Sequence, residues 1–141
     1  MIGTALIEEC IKNEVEVYAV VRASSKKKNR LKKHRLIHLV DASLEELEKL
    51  PDIIPETCDT FYHIAWGNTG ENRNSSTELQ SRNIAYTLAA VRSAKALGCR
   101  RFIGAGSQAE YGSMDAEKIS PDSPVRPTTP YGAAKLSAGL L

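Results

Sequence analysis

Apolar positions recur along the chain at two periods. Between residues 3 and 12, Ala5, Leu6, Ile7, Cys10 and Ile11 fall largely on one side at helical spacing, and the β-branched run after them predicts a strand over 16–21. A polar stretch, RASSKKKNRLKKHR, leads to a second apolar run at 36–40 that ends at Asp41. The segment ASLEELEKL predicts a helix: Ser43 and Glu46 have capping-box spacing, and Pro51 is expected to close it. A third strand is predicted over 60–66, breaking at Gly67. A long helix is predicted over 76–97, with Leu79, Ile84, Leu88, Val91 and Ala94 on one stripe and Gly98 placed for a left-handed cap. Residues 101–107 form a fourth strand candidate, and the Pro-rich loop SPDSPVRPTTP leads to a last helix starting at Tyr131. Strands that are apolar throughout and alternate with helices predict a doubly wound α/β fold, its parallel sheet buried on both faces. No repeat or linker divides the chain, so residues 1–141 are expected to form one domain.

Composition narrows the function classes. A hydrophobic fraction of 42% and a charged fraction of 26% are those of an ordinary folded protein. A net charge of +2 gives no reason to expect nucleic acid or membrane as a partner, and the basic run at 26–35 lacks the aromatic platforms of an RNA site. It reads as a solvated face. Cys10, Cys58 and Cys99 have no C-x-x-C spacing, which argues against a disulfide framework or a zinc site and for reduced cysteines in a cytoplasmic protein. No apolar run approaches the roughly 20 residues of a membrane span.

Candidate chemistry sits where the apolar runs end, because ligands of open α/β sheets bind beyond the carboxyl ends of the strands. Those positions are Arg22, Asp41, Ala65-Trp66-Gly67 and Ser107. YGAAK adds Tyr131 and Lys135, one helical turn apart on one face. A free tyrosine, with a pKa of about 10, is a poor base at neutral pH, and a neighbouring ammonium favours its phenolate. On its own, Y-x-x-x-K occurs often by chance.

Together these stretches resemble the extended short-chain dehydrogenase/reductase superfamily, which includes nucleotide-sugar epimerases, dehydratases and ketoreductases. Its landmarks stand in family order: the tail of a glycine motif in MIGTAL, the aspartate in LVDAS, HIAW for H-x-A-A, Asn83 in NIAYT, GSQAEYG for S-S-x-x-V-Y-G, and PYGAAK. The resemblance implies a Rossmann-like NAD(P)-binding domain acting on a small molecule, a nucleotide sugar, by hydride transfer. Tyr131 would be the acid/base, Ser107 the donor to the substrate oxygen, and Lys135 the cation that favours the phenolate and holds the nicotinamide ribose. Gly3, Arg22, Ser24, Asp41 and Ala65 would contact the cofactor, Asp41 at the adenine amino group. The same resemblance makes His63 a structural histidine, Asn83 a brace for the long helix, and helices 76–97 and 131 onward a possible homodimer interface in a longer parent.

Cofactor choice turns on the end of the second family strand, where an acid would bond the 2′-hydroxyl of NAD. Here the sequence reads VVRASSK, and Arg22 with Ser24 favours NADP over NAD. The chain departs from the family in two ways. Only the last glycine of G-x-x-G-x-x-G is present, as Gly3, and neither the first strand nor the C-terminal substrate part is represented. A fragment with impaired catalysis is therefore expected, with open edges on the two strands that would flank the missing one. Gln108 and Glu110 make the substrate-side segment unusually polar. A non-catalytic nucleotide-binding or regulatory protein that keeps the fold, and a plain scaffold, remain as alternatives.

Overall fold

The computed structural model describes residues 2–26, 28–114 and 118–141; Lys27, within the basic run, lies outside them. Helix α1 (Ile2–Lys12) is amphipathic as expected, but it only half-buries Leu6, Ile7, Cys10 and Ile11. Strand β1 (Val17–Val21) pairs in parallel with β2 (Ile37–Asp41), Val17 opposite Ile37 and Val21 opposite Asp41. Strand β3 (Thr60–His63) pairs in parallel with β4 (Arg101–Gly104), Thr60 opposite Arg101 and His63 opposite Gly104. Among the described residues β1 has no other strand partner than β2, and β3 none other than β4. Each of these two strands thus keeps one edge without a strand partner among the described residues.

The longest helix, α3 (Thr77–Ala96), matches its predicted span and is capped at both ends by its own sequence. Ser76 Oγ accepts from the Leu79 amide at 3.3 Å. Gly98 adopts φ +77, so its amide reaches the Lys95 carbonyl at 3.1 Å while Cys99 reaches that of Ala94 at 2.9 Å. This double closure satisfies carbonyls that the helix end would otherwise leave open.

Residues 44–54 depart from the expected helix. Ser43 and Glu46 do form the capping box, but Leu44–Lys49 is a 3₁₀ turn, and the α-helical turn α2 (Leu50–Ile53) begins where the helix was to end. Pro51 opens α2 rather than closing its predecessor, because a first-turn residue needs no amide partner and proline's fixed φ suits that position. Leu50 then falls fully buried into a core with Val40, Leu47, Ile54, Ala90 and Leu97, against which Phe61 and Phe102 pack. Ser93 Oγ donates to the Leu47 carbonyl at 2.6 Å and ties α3 to this layer. Burial of a leucine such as Leu50 is worth roughly 2 kcal/mol.

The sheet is not covered on both faces as its composition suggested. On β3 and β4, Phe61, His63 and Phe102 face the covered side, whereas Tyr62 and Ile103 are each 44% exposed. Leu39 on β2 is 53% exposed. Strands β3 and β4 also end earlier than predicted: after the Ala105 amide bonds the His63 carbonyl at 3.1 Å, both chains leave the ladder and turn toward the site.

Candidate active site

Helix α4 (Pro130–Gly139) carries Tyr131 and Lys135 and starts one residue before the predicted point. Thr129 caps it by accepting from the Gly132 amide at 3.1 Å, and Pro130 occupies the first helical position. Gly132 explains how closely the helix docks. A Cβ there would lie 2.3 Å from the Ala109 carbonyl oxygen and 3.1 Å from Pro127 Cβ, so only glycine lets α4 meet the turn that follows β4.

That turn, Gln108–Glu110, is itself built by Ser107. Its hydroxyl accepts from the Ala109 amide at 3.2 Å, and its own amide donates to Glu110 Oε1 at 2.6 Å. Glu110 therefore folds back as half of a capping box, and the polar edge expected of Gln108 and Glu110 reaches the cleft through Gln108 alone. The outcome is a cleft of about 280 Å³ that Ser107 and Tyr131 line together, with Arg73, Asn74, Gln108 and Thr129 around them.

Lys135 lies one turn further on and is only 6% exposed. Its ammonium donates to the Ala105 carbonyl at 2.6 Å and sits 3.7 Å from the centre of the Trp66 ring. Burial pushes its pKa down, against the attraction of the Glu110 carboxylate. Trp66 also meets Tyr131 edge to face, with ring centroids 6.1 Å apart at 83°. One indole thus touches both members of the Tyr/Lys pair.

The indole is fixed from below by α3. Trp66 Nε1 donates to Gln80 Oε1 at 2.9 Å, and Gln80 Nε2 donates to the Asn68 carbonyl at 2.8 Å. Asn83 accepts from the Gly67 amide at 2.7 Å and donates back to the Gly67 carbonyl at 3.2 Å. Asn83 is thus a brace between α3 and the loop after β3, in line with its expected structural role. His63 is likewise buried: burial first, and the Lys135 charge second, hold its pKa down at about 4, so it stays neutral over most of the pH range.

Of the residues that the sequence singled out, the structure gathers Ser107, Tyr131, Lys135 and Trp66 here; the sequence reading did not single out Gln80, Gly132 or Arg73, whose guanidinium lies 4.8 Å from the centre of the Tyr131 ring. For Trp66 the signal was HIAW, where tryptophan stands in place of an alanine.

The expected nucleotide contacts lie apart from the cleft lining. Arg22 and Ser24 are exposed just beyond β1, and Arg22 has no carboxylate partner among the described residues. Asp41, at the end of β2, is ion-paired with Lys28, an arrangement the sequence reading did not foresee. Ala65 is exposed after β3. Gly3 sits in the first turn of α1, where a Cβ would meet nothing within 4 Å. Arg22 and Ser24 thus stand at one strand end, beyond β1, and Lys135 at another, beside the loop after β4. Gly3 alone does not form a close-fitting phosphate cradle.

Parallel strands joined through helices, with chemistry gathered beyond their carboxyl ends, define a Rossmann-like α/β protein of the dinucleotide-binding type. The model of the NAD dependent epimerase/dehydratase family matches residues 1–141, and the chain belongs to that family. A UDP-glucose 4-epimerase of Streptomyces lividans is 32% identical over 77 residues, which is 55% of this chain and 23% of that protein. Among solved structures, the UDP-Glc/GlcNAc 4-epimerase of Campylobacter jejuni superposes with a TM-score of 0.85 at 21% identity, over 99% of this chain and 44% of that one. DesIV, a dTDP-glucose 4,6-dehydratase from Streptomyces venezuelae solved with NAD bound, gives 0.84 at 18%, over 99% and 46%. The chain therefore spans about a quarter of the curated relative and less than half of these neighbours.

Proposed function

We propose that residues 1–141 are one partial NAD(P)-binding domain carrying the proton-handling groups of a nucleotide-sugar epimerase, dehydratase or ketoreductase. The observation that carries this reading is the shared cleft of Ser107 and Tyr131, with Lys135 held one turn away by Ala105 and Trp66. When bound, the nicotinamide would take a hydride from the sugar carbon or supply one to it. Tyr131 as phenolate would accept the hydroxyl proton of the carbon being oxidised and return it on reduction. The Ser107 hydroxyl accepts from Ala109, which leaves its own proton to donate to the sugar oxygen. The Lys135 ammonium would favour the phenolate and reach the nicotinamide ribose.

Arg22 and Ser24 support NADP over NAD, whereas the DesIV neighbour was solved with NAD. Asp41 would meet the adenine after releasing Lys28, with Gly3 and Ala65 lining the path between. We place the protein in the cytoplasm; no described helix is long and apolar enough to cross a membrane. We expect neither nucleic acid nor membrane as a partner, and we infer a homodimer through α3 and α4. We expect weak turnover, and a second reading is that the fold binds nucleotide without reacting.

The test is to titrate the full chain with NADPH and NADH, then to follow nicotinamide absorbance with a nucleotide sugar present. NADPH is expected to bind more tightly, with weak or no turnover. Any turnover observed should vanish in Tyr131→Phe while cofactor binding persists. Absence of dinucleotide binding would overturn the reading, and a Tyr131→Phe variant as fast as wild type would remove the acid/base role.

A further inference from the structure

Among the described residues, the cleft beside Tyr131 is lined by neutral hydroxyl and amide groups and by a single charged side chain, Arg73, which comes from the 3₁₀ turn Glu71–Asn74 between β3 and α3. Arg73 is exposed and pairs with no carboxylate among the described residues. Its guanidinium carbon lies over the Tyr131 ring, 4.8 Å from the ring centre. Stacking uses the face of a guanidinium and leaves its N–H edge, the part that grips a carboxylate through two parallel bonds, available. The carboxylate nearest in sequence to the cleft wall, Glu110, is already spent on the Ser107 amide. The cleft is therefore a cup for a polyol, with one unanswered positive charge next to the ring that would exchange a proton with that polyol.

We propose that Arg73 receives a carboxylate carried by the sugar itself, so that the preferred substrate is a nucleoside-diphosphate uronic acid rather than a neutral hexose. This rests on the nucleotide-sugar reading above and narrows it. The guanidinium stacks on the ring of Tyr131, so the group it binds belongs to the same sugar whose oxygen meets the Tyr131 hydroxyl. A diphosphate is the competing anionic partner, and the titration separates the two.

The experiment is calorimetric titration of the full chain, with NADP+ and separately NAD+ present, by UDP-glucuronate and by UDP-glucose, in wild type, Arg73→Met and Arg73→Lys. A charge-assisted bidentate contact predicts that wild type prefers the uronate about tenfold or more. Arg73→Met should bring the ratio of the two affinities close to one, through loss at the uronate. Arg73→Lys, which keeps the charge but not the fork, should restore part of the preference. Equal binding of the two ligands by wild type would overturn the inference and leave the nucleotide-sugar reading standing. Weakening of both ligands by the same factor in Arg73→Met would assign Arg73 to the diphosphate and likewise overturn it. If wild type binds neither ligand, the broader reading fails and the inference fails with it.

Discussion

Lys135 is an ammonium removed from water and met by two partners without a full negative charge, the Ala105 carbonyl and the Trp66 face. His63 nearby stays neutral, its pKa held at about 4 against an ordinary 6.5 by burial first and by the Lys135 charge second. The unfolded chain takes up a proton at His63 as pH falls through 6.5, whereas the folded chain refuses it until about 4. This contribution to stability is thus intact above pH 6.5 and is lost progressively below it, by up to about 3 kcal/mol. Denaturant unfolding at near-neutral and mildly acid pH should show a steeper acid loss for wild type than for His63→Gln; parallel losses would refute the assignment. At this scale the sequence was informative where a motif fixes both residue and spacing, as for Tyr131, Lys135 and Ser107. It was silent on Trp66 against Lys135 and on Lys28 against Asp41, because those contacts depend on how separate loops return to the sheet ends.

At the scale of elements, the site depends on how α4 sits against the turn after β4. Gly132 allows that approach, since a methyl group would lie 2.3 Å from the Ala109 carbonyl. Gly132→Ala should therefore force α4 away from the turn, costing about 1–3 kcal/mol in urea unfolding and separating Tyr131 from Ser107. An unchanged midpoint would show that α4 does not need this contact. Helix α3 and its caps were readable in advance because Ser76 and Gly98 act within a few residues of the helix they close. The Leu44–Ile53 segment was not: periodicity marks an apolar face equally well for one helix and for two short turns, and the choice was made by Leu50 entering the core. The strand lengths were overestimated for a related reason, since apolar residues that leave a ladder to build a site look like strand.

For the whole molecule, the α/β class was legible from the alternation of runs, but the coverage of the sheet was not, because burial of a face depends on which elements are there to cover it. Tyr62 and Ile103 lie on the open face of β3 and β4, and among the described residues both strand pairs present unpaired edges. Exposed apolar faces beside free edges invite association between copies. Sedimentation velocity over rising concentration should therefore show self-association of the 141-residue chain, reduced by Tyr62→Lys with Ile103→Lys. A chain that stays monomeric throughout would show that these surfaces are inert.

Trp66 has one further consequence. It is the single tryptophan of the sequence, and its indole rests on the ammonium of Lys135 and against the ring of Tyr131. All of the protein's tryptophan emission therefore originates beside the groups proposed to move protons. The molecule carries a built-in optical reporter there, and ligand entry or a charge change at that spot can be watched by light without a label.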